Sequence, residues 1–235
     1  MTFYARLVKE TGTERAHLLS SPIIDKALNN EITLGEYRAF LEQAYHHVKH
    51  TVPLLMATGS RLAEHQEWLR EAVAEYIEEE VGHQEWILND IAACGGDREA
   101  VRRSDPNLAT ELMVAYAYDM VQRVNPLGFF GMVYVLEGTS ISVASNAADQ
   151  IQQHLRLPDS AFSYLRSHGA LDISHMKFFE TLMNRIEDLE EQNLIIHTAR
   201  MFFRLYGNIF RSLTETGDTH SPLIRKETPR HGLRQ

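Results

Sequence analysis

The sequence predicts an all-α helical bundle. No segment sustains the period-two alternation of a half-buried strand, and long stretches repeat apolar residues at three- and four-residue steps. The breaks between those stretches carry helix start and stop signals. A first helix is expected over Phe3 to Leu19, ending near Ser20-Ser21-Pro22, where Pro22 suits the opening of a short helix better than the continuation of a long one. A second starts at Thr33, where Thr33-x-x-Glu36 forms a capping box, and runs past Pro53, which should kink it. A third covers Glu67 to Cys94 and stops at Gly95-Gly96. Asp105-Pro106 opens a helix through about Arg123, and Asn125-Pro126 opens another through about His154, each as an N-cap followed by proline. Pro158 begins a short segment interrupted near Gly169. Two helices follow, Asp172 to Glu187 and Glu190 to Leu213.

The chain of 235 residues is 44% hydrophobic, enough to bury one substantial core, so residues 1–213 are read as one bundle domain. Residues 214–235, with Gly217, Pro222 and Pro229 among polar groups, read as an extended or disordered tail. A net charge of −9 argues against nucleic acid or an anionic lipid surface as partner. A single cysteine, Cys94, excludes an internal disulfide framework and a cysteine-rich zinc or iron–sulfur site, which fits a reducing, cytoplasmic setting. The N-terminus lacks a signal-peptide pattern and no stretch approaches roughly 18 uninterrupted apolar residues, so neither secretion nor membrane spanning is expected. Twelve histidines make metal ligation or proton transfer worth testing.

A helical wheel shows which ionisable groups fall inside an apolar arc. In the third helix, Val73, Tyr76, Ile77, Val81, Ile87, Leu88 and Ile91 mark the arc; Glu80 falls near its middle and His83 at its edge. Glu71, Glu75, Glu78, Glu79 and Glu85 point elsewhere, as a solvated face. The helix from Pro126 is apolar on nearly every side, with Glu137 in one stripe with Phe130, Val133, Tyr134, Ile141, Ala144 and Ala148. A carboxylate there requires a partner. In the later helix Asp172 and His175 share an arc with Met176, Phe179 and Met183, and His168 precedes Asp172 by four residues. Among His46, His47 and His50, only His47 approaches an apolar arc; the other two are read as surface residues.

Three carboxylates and three histidines from three segments thus point inward. Glu80-x-x-His83 and Asp172-x-x-His175 have the i, i+3 spacing by which helical carboxylate sites hold two iron or manganese ions. Two divalent cations would offset the mutual repulsion of Glu80, Glu137 and Asp172. A metal-free network, with those carboxylates accepting hydrogen bonds from the histidines, Tyr76 and Tyr134, is the alternative.

These residues resemble the haem-oxygenase-like superfamily, which includes the TenA thiaminases, the pyrroloquinoline-quinone synthases and a branch of di-iron oxidases and oxygenases. Ser21-Pro22-Ile23-Ile24, and Thr33-Leu34-Gly35-Glu36-Tyr37-Arg38-Ala39-Phe40-Leu41 through Tyr45, look like the TenA-type opening, and the resemblance runs over residues 15 to 213. It implies a seven- or eight-helix bundle with a central cavity, assembled as a homo-oligomer, with a dimer expected. Similarity to the di-iron branch implies His83, Glu137, His168, Asp172 and His175 as ligands, with Glu80 as the first glutamate. The expected activity is that of a non-haem di-iron, or iron–manganese, oxidase or oxygenase taking O2 and a small organic substrate. Glu80, Glu137 and Asp172 would bridge the metals. Tyr76, Tyr134, Phe130, Phe179 and Met183 would shape the cavity, and Tyr134 is a candidate proton or electron donor or a packing residue. Haem is not expected, because only His17 is available as a proximal ligand in the first helix. A metal-free TenA-like binding protein or hydrolase for a thiamine-related heterocycle is the rival; Cys94, at a helix end, is badly placed as its nucleophile. A third possibility is a non-catalytic member of the fold.

Overall fold

In the computed structural model the described residues are 1–214, without the side chains of residues 168–174. The helical periodicity is realised throughout, and no strand occurs among the described residues. The order is α1 (Phe3–Glu10), α2 (Gly12–Leu19), α3 (Pro22–Leu28), α4 (Leu34–Val48), α5 (Thr51–Arg61), α6 (Glu67–Glu80), α7 (His83–Ala93), α8 (Arg98–Arg103), α9 (Leu108–Asp119), α10 (Phe129–Leu155), α11 (Ser163–Met183) and α12 (Leu189–Ser212). The tail expected from residue 214 lies, beyond Thr214, outside the described residues.

Several start signals act as the sequence specifies. Thr33 and Glu36 close the capping box: Glu36 N donates to Thr33 Oγ1 at 3.2 Å and Thr33 N donates to Glu36 Oε2 at 2.8 Å. Pro22 occupies the first turn of α3. Asn125 accepts from Leu127 N at 2.9 Å, and the chain enters α10 through a 3-10 turn at Pro126–Gly128. The cap of α9, in contrast, is Asn107, which accepts from Thr110 N at 2.9 Å. With Asn107 as the cap, the helix begins two residues later than the Asp105-Pro106 signal implied.

Three expected long helices are each two. The first divides at Thr11, between α1 and α2. The second divides at Lys49 and His50, which leaves Pro53 in the first turn of α5, where its missing N–H costs no hydrogen bond, and no kink is needed. The third divides at Val81 and Gly82: Val81 is extended (φ −62°, ψ 118°) and Gly82 takes the left-handed φ of 97°. Val81, placed in the apolar arc by the wheel, is 64% exposed because of this break. The reverse holds at Gly169, where α11 runs unbroken.

α10 lies at the centre, packed against α11 and α12. By length and composition the helix from Pro126 to Leu155 could cross a membrane, and 61% of its most apolar window is buried inside the bundle. Its approach to α12 is close because Gly131 has no side chain: a Cβ there would lie 2.6 Å from Ala199 N and 3.0 Å from Thr198 C. The start of α11 is fixed from another helix. Asp90 of α7, fully buried, accepts from Ser163 N at 3.1 Å and Tyr164 N at 2.9 Å, satisfying two donors that a helix N-terminus leaves open.

Candidate functional site

Glu80 ends α6 and His83 begins α7, so their i, i+3 spacing spans a break rather than one turn of helix. The left-handed Gly82 nevertheless folds the chain so that His83 Nδ1 lies 3.1 Å from Glu80 Oε2. Both are buried, and the Trp86 ring stacks on the His83 imidazole with centroids 4.0 Å apart. Glu137, in the middle of α10, is 9% exposed, and its Oε1 lies 3.7 Å from His175 Nδ1 on α11. Four of the six expected ligands therefore form two carboxylate–imidazole pairs. The side chains of the other two, His168 and Asp172, lie outside the described residues. Among the described residues no three His, Cys, Asp or Glu side chains are grouped closely enough to hold a metal ion.

A residue assigned to the solvated face takes part. Glu79, 44% exposed at its side chain, reaches His175 so that its Oε2 lies 2.9 Å from Nε2. His175 thus has a carboxylate at each ring nitrogen, and the Tyr76 ring stands edge-on to it at 6.0 Å. Glu79 was legible only as a glutamate beside Glu80.

Glu80, Glu137 and Tyr76 line one cavity of about 140 Å³. Its remaining wall is largely aliphatic and aromatic, drawn from α3, α4, α5, α10, α11 and α12. The expected wall residues Phe130, Tyr134, Phe179 and Met183 do not line it. Tyr134 stacks on Phe179 at 5.9 Å and meets Phe203 edge-on, with its hydroxyl 3.5 Å from Thr11 Oγ1, which donates to the Leu7 carbonyl at 2.7 Å. These ring contacts, away from the cavity lining, support a packing role, and burial pushes its phenol above the usual tyrosine value.

Among the other histidines, His47 is buried and lines the cavity, as its arc indicated. His46, expected on the surface, is 1% exposed, with Nε2 2.9 Å from Ser104 Oγ and Lys49 Nζ 3.2 Å from Nδ1. The segment after α8 covers it, a contact that helical spacing does not reveal. His50 is half-buried and meets the Tyr118 hydroxyl at 3.1 Å. His17 is exposed on α2, and its carbonyl accepts from Arg211 at 2.6 Å.

Cys94 closes α7 and is 4% exposed, and Arg38 donates to its carbonyl. Burial, reinforced by Asp90, pushes its thiol up to about 11. At pH 8 only about one thiol in a thousand would then be thiolate. Iodoacetamide is expected to modify Cys94 of the folded protein far more slowly than a free thiol, and fully only after denaturation; mass spectrometry over time measures this.

The sequence matches, over residues 38–207, the model of a family described as iron-containing redox enzymes. No curated protein matches it significantly. A solved domain with a haem-oxygenase-like fold from Shewanella denitrificans superimposes with a TM-score of 0.82 at 24% identity, covering 89% of this chain and 91% of that one. A TenA homologue from Pseudomonas syringae gives 0.75 at 10% identity over 90% and 92%. Haem oxygenase-1 from the cyanobacterium Synechocystis, solved with haem, gives 0.71 at 12% identity over 91% and 93%. At these identities the likeness is one of fold.

Proposed function

From the premise that the chain belongs to the family of iron-containing redox enzymes, on a haem-oxygenase-like fold, we propose that it is a non-haem iron oxidase or oxygenase acting on a small organic substrate. The observation that carries this reading is the pairing of two buried carboxylates with two imidazoles from different helices, with both carboxylates on the wall of one otherwise apolar cavity. Carboxylate and imidazole are the donors that iron takes in helical bundles, so the residues fit the metal in kind. Glu80, His83, Glu137 and His175 would hold it, joined by His168 and Asp172, which recur with His175 at i, i+4 and i+7 on an unbroken helix. Two iron ions, or one iron and one manganese, match the count of donors. Bound iron would supply the redox chemistry with O2 that these side chains lack.

The protein's own contribution is positional and electrostatic. Glu80 and Glu137 bring negative charge into a region that disfavours it without a cation. Glu79, touching His175 from the outer side, fixes the ring so that Nδ1 faces Glu137. Trp86 holds the plane of His83. The apolar walls take up the substrate and keep bulk water from it.

The test is the iron and manganese content per chain after expression in iron-supplemented medium, for wild type, Asp172→Ala/His175→Ala and Glu79→Gln, alongside the helical circular dichroism. About two metals in wild type, lost in the double variant and bound about 10–100-fold more weakly in Glu79→Gln, is the expected result. The aromatic part of the wall, Tyr37, Phe40, Tyr76 and Tyr206, favours a second reading, a metal-free TenA-like site for a flat heterocycle. A metal-free wild type after anaerobic reconstitution with ferrous iron would replace the first reading with the second. Cys94 would not serve such a site as nucleophile, since it is absent from the wall and its thiol stays protonated.

A further inference from the structure

On α10 the cavity is lined from Phe129 to Ile151, about 33 Å along the helix. A volume of about 140 Å³ drawn out over that length makes a slot, narrower than a compact cavity of similar volume that admits benzene. At 100° per residue the lining positions form one stripe, with Ser140 near its middle and Glu137 and Thr139 on opposite margins. Phe129, Met132 and Leu136 precede this polar turn; Val143, Ala147 and Ile151 follow it. The slot therefore has two apolar arms and a polar middle.

Thr139 is 3% exposed, and neither its Oγ1 nor the buried Oγ of Ser140 makes a hydrogen bond within the protein. That is a choice the helix did not force on them. Two residues on, Ser142 Oγ donates to the Gly138 carbonyl at 2.8 Å, and Thr11 and Thr198 elsewhere likewise satisfy their hydroxyls on backbone carbonyls. Buried hydroxyls left unmade are costly, and they are expected where a ligand supplies the partner. No Lys or Arg lines the cavity; two carboxylates and one imidazole, His47, do, so without bound metal the lining offers an anionic head group no permanently charged side-chain partner.

We infer that Thr139 and Ser140 determine specificity by donating hydrogen bonds to an uncharged acceptor near the middle of an unbranched, otherwise apolar molecule lying along α10. The inference concerns the cavity used by the proposed oxidase, but it is read by binding alone, so it and the metal assignment can fail separately.

The probes are 5-nonanone, its branched isomer 2,6-dimethylheptan-4-one, and nonanoate, titrated calorimetrically into the full-length protein. The expected result is one-to-one binding of 5-nonanone, about tenfold tighter than either comparator. Thr139→Val/Ser140→Ala should weaken it about tenfold, while raising the melting temperature of the ligand-free protein, because two unmade buried hydroxyls are gone. Thr139→Ser should retain binding, and single variants serve if the double variant does not fold. Equal binding of the two ketones, tighter binding of nonanoate, no binding of 5-nonanone up to its solubility, or undiminished binding by the hydroxyl-free variants would each overturn the inference. A lowered melting temperature with unchanged binding would identify the hydroxyls as structural.

Discussion

Glu137→Ala is expected to leave the helical circular dichroism intact and to weaken iron binding by about 100-fold or more, with iron-dependent O2 consumption lost. Alanine is the best helix former, so α10 has no local reason to unravel. What disappears is the carboxylate that α10 contributes to the cavity wall, 3.7 Å from His175 Nδ1. The loss should exceed the 10–100-fold typical of residues that only support a ligand. Glu137→Gln, with the same shape and no charge, should fall with the alanine variant. Unchanged metal content and O2 consumption in both would make Glu137 a buried acceptor for His175 and remove it from the metal site. Metal content and an oxygen electrode, applied to the same preparations, decide the matter.

The largest effect on stability is expected at Gly131. An alanine Cβ would sit 2.6 Å from Ala199 N and 3.0 Å from Thr198 C. The Ala199 amide and the Thr198 carbonyl carbon belong to the backbone of a packed helix, which cannot rotate out of the way as a side-chain tip would. Relief requires α10 and α12 to move apart, opening gaps in the core on both sides of the contact. Gly131→Ala should cost about 3 kcal/mol, a fall of roughly 6–12 °C in melting temperature for a protein of this size, despite alanine's better helix propensity. Calorimetry measures it; a rise in melting temperature would mean that the two helices tolerate separation at this crossing.

The fold class and the inward charges were legible because they depend on spacing within one helix. Glu80, His83, Glu137 and His175 are all buried, and the Thr33–Glu36 and Asn125–Pro126 start signals act as read. Spacing does not register a break of one or two residues, since the apolar period carries across it: the divisions at Thr11, Lys49–His50 and Val81–Gly82 were all invisible to the wheel. It also gives direction without reach or partner. Glu79 points toward solvent at its Cα yet touches His175, and His46 leaves its own arc yet is covered by Ser104. Asp90 caps a helix more than 70 residues away, a partnership no local pattern announces. Nor does an all-round apolar helix disclose which of its sides borders a cavity, which is why Phe130 and Tyr134 were expected on a wall that they do not line.

The position of α10 in the chain has a consequence for synthesis. Its apolar surface is covered on one side by α12, and Leu189–Ser212 leaves the ribosome last among the described helices. Until then the nascent chain carries an apolar helix, long enough to be taken for a membrane segment, whose cover does not yet exist. Chains truncated before Leu189 should accordingly aggregate or be held by chaperones, while the completed chain buries the same surface within itself.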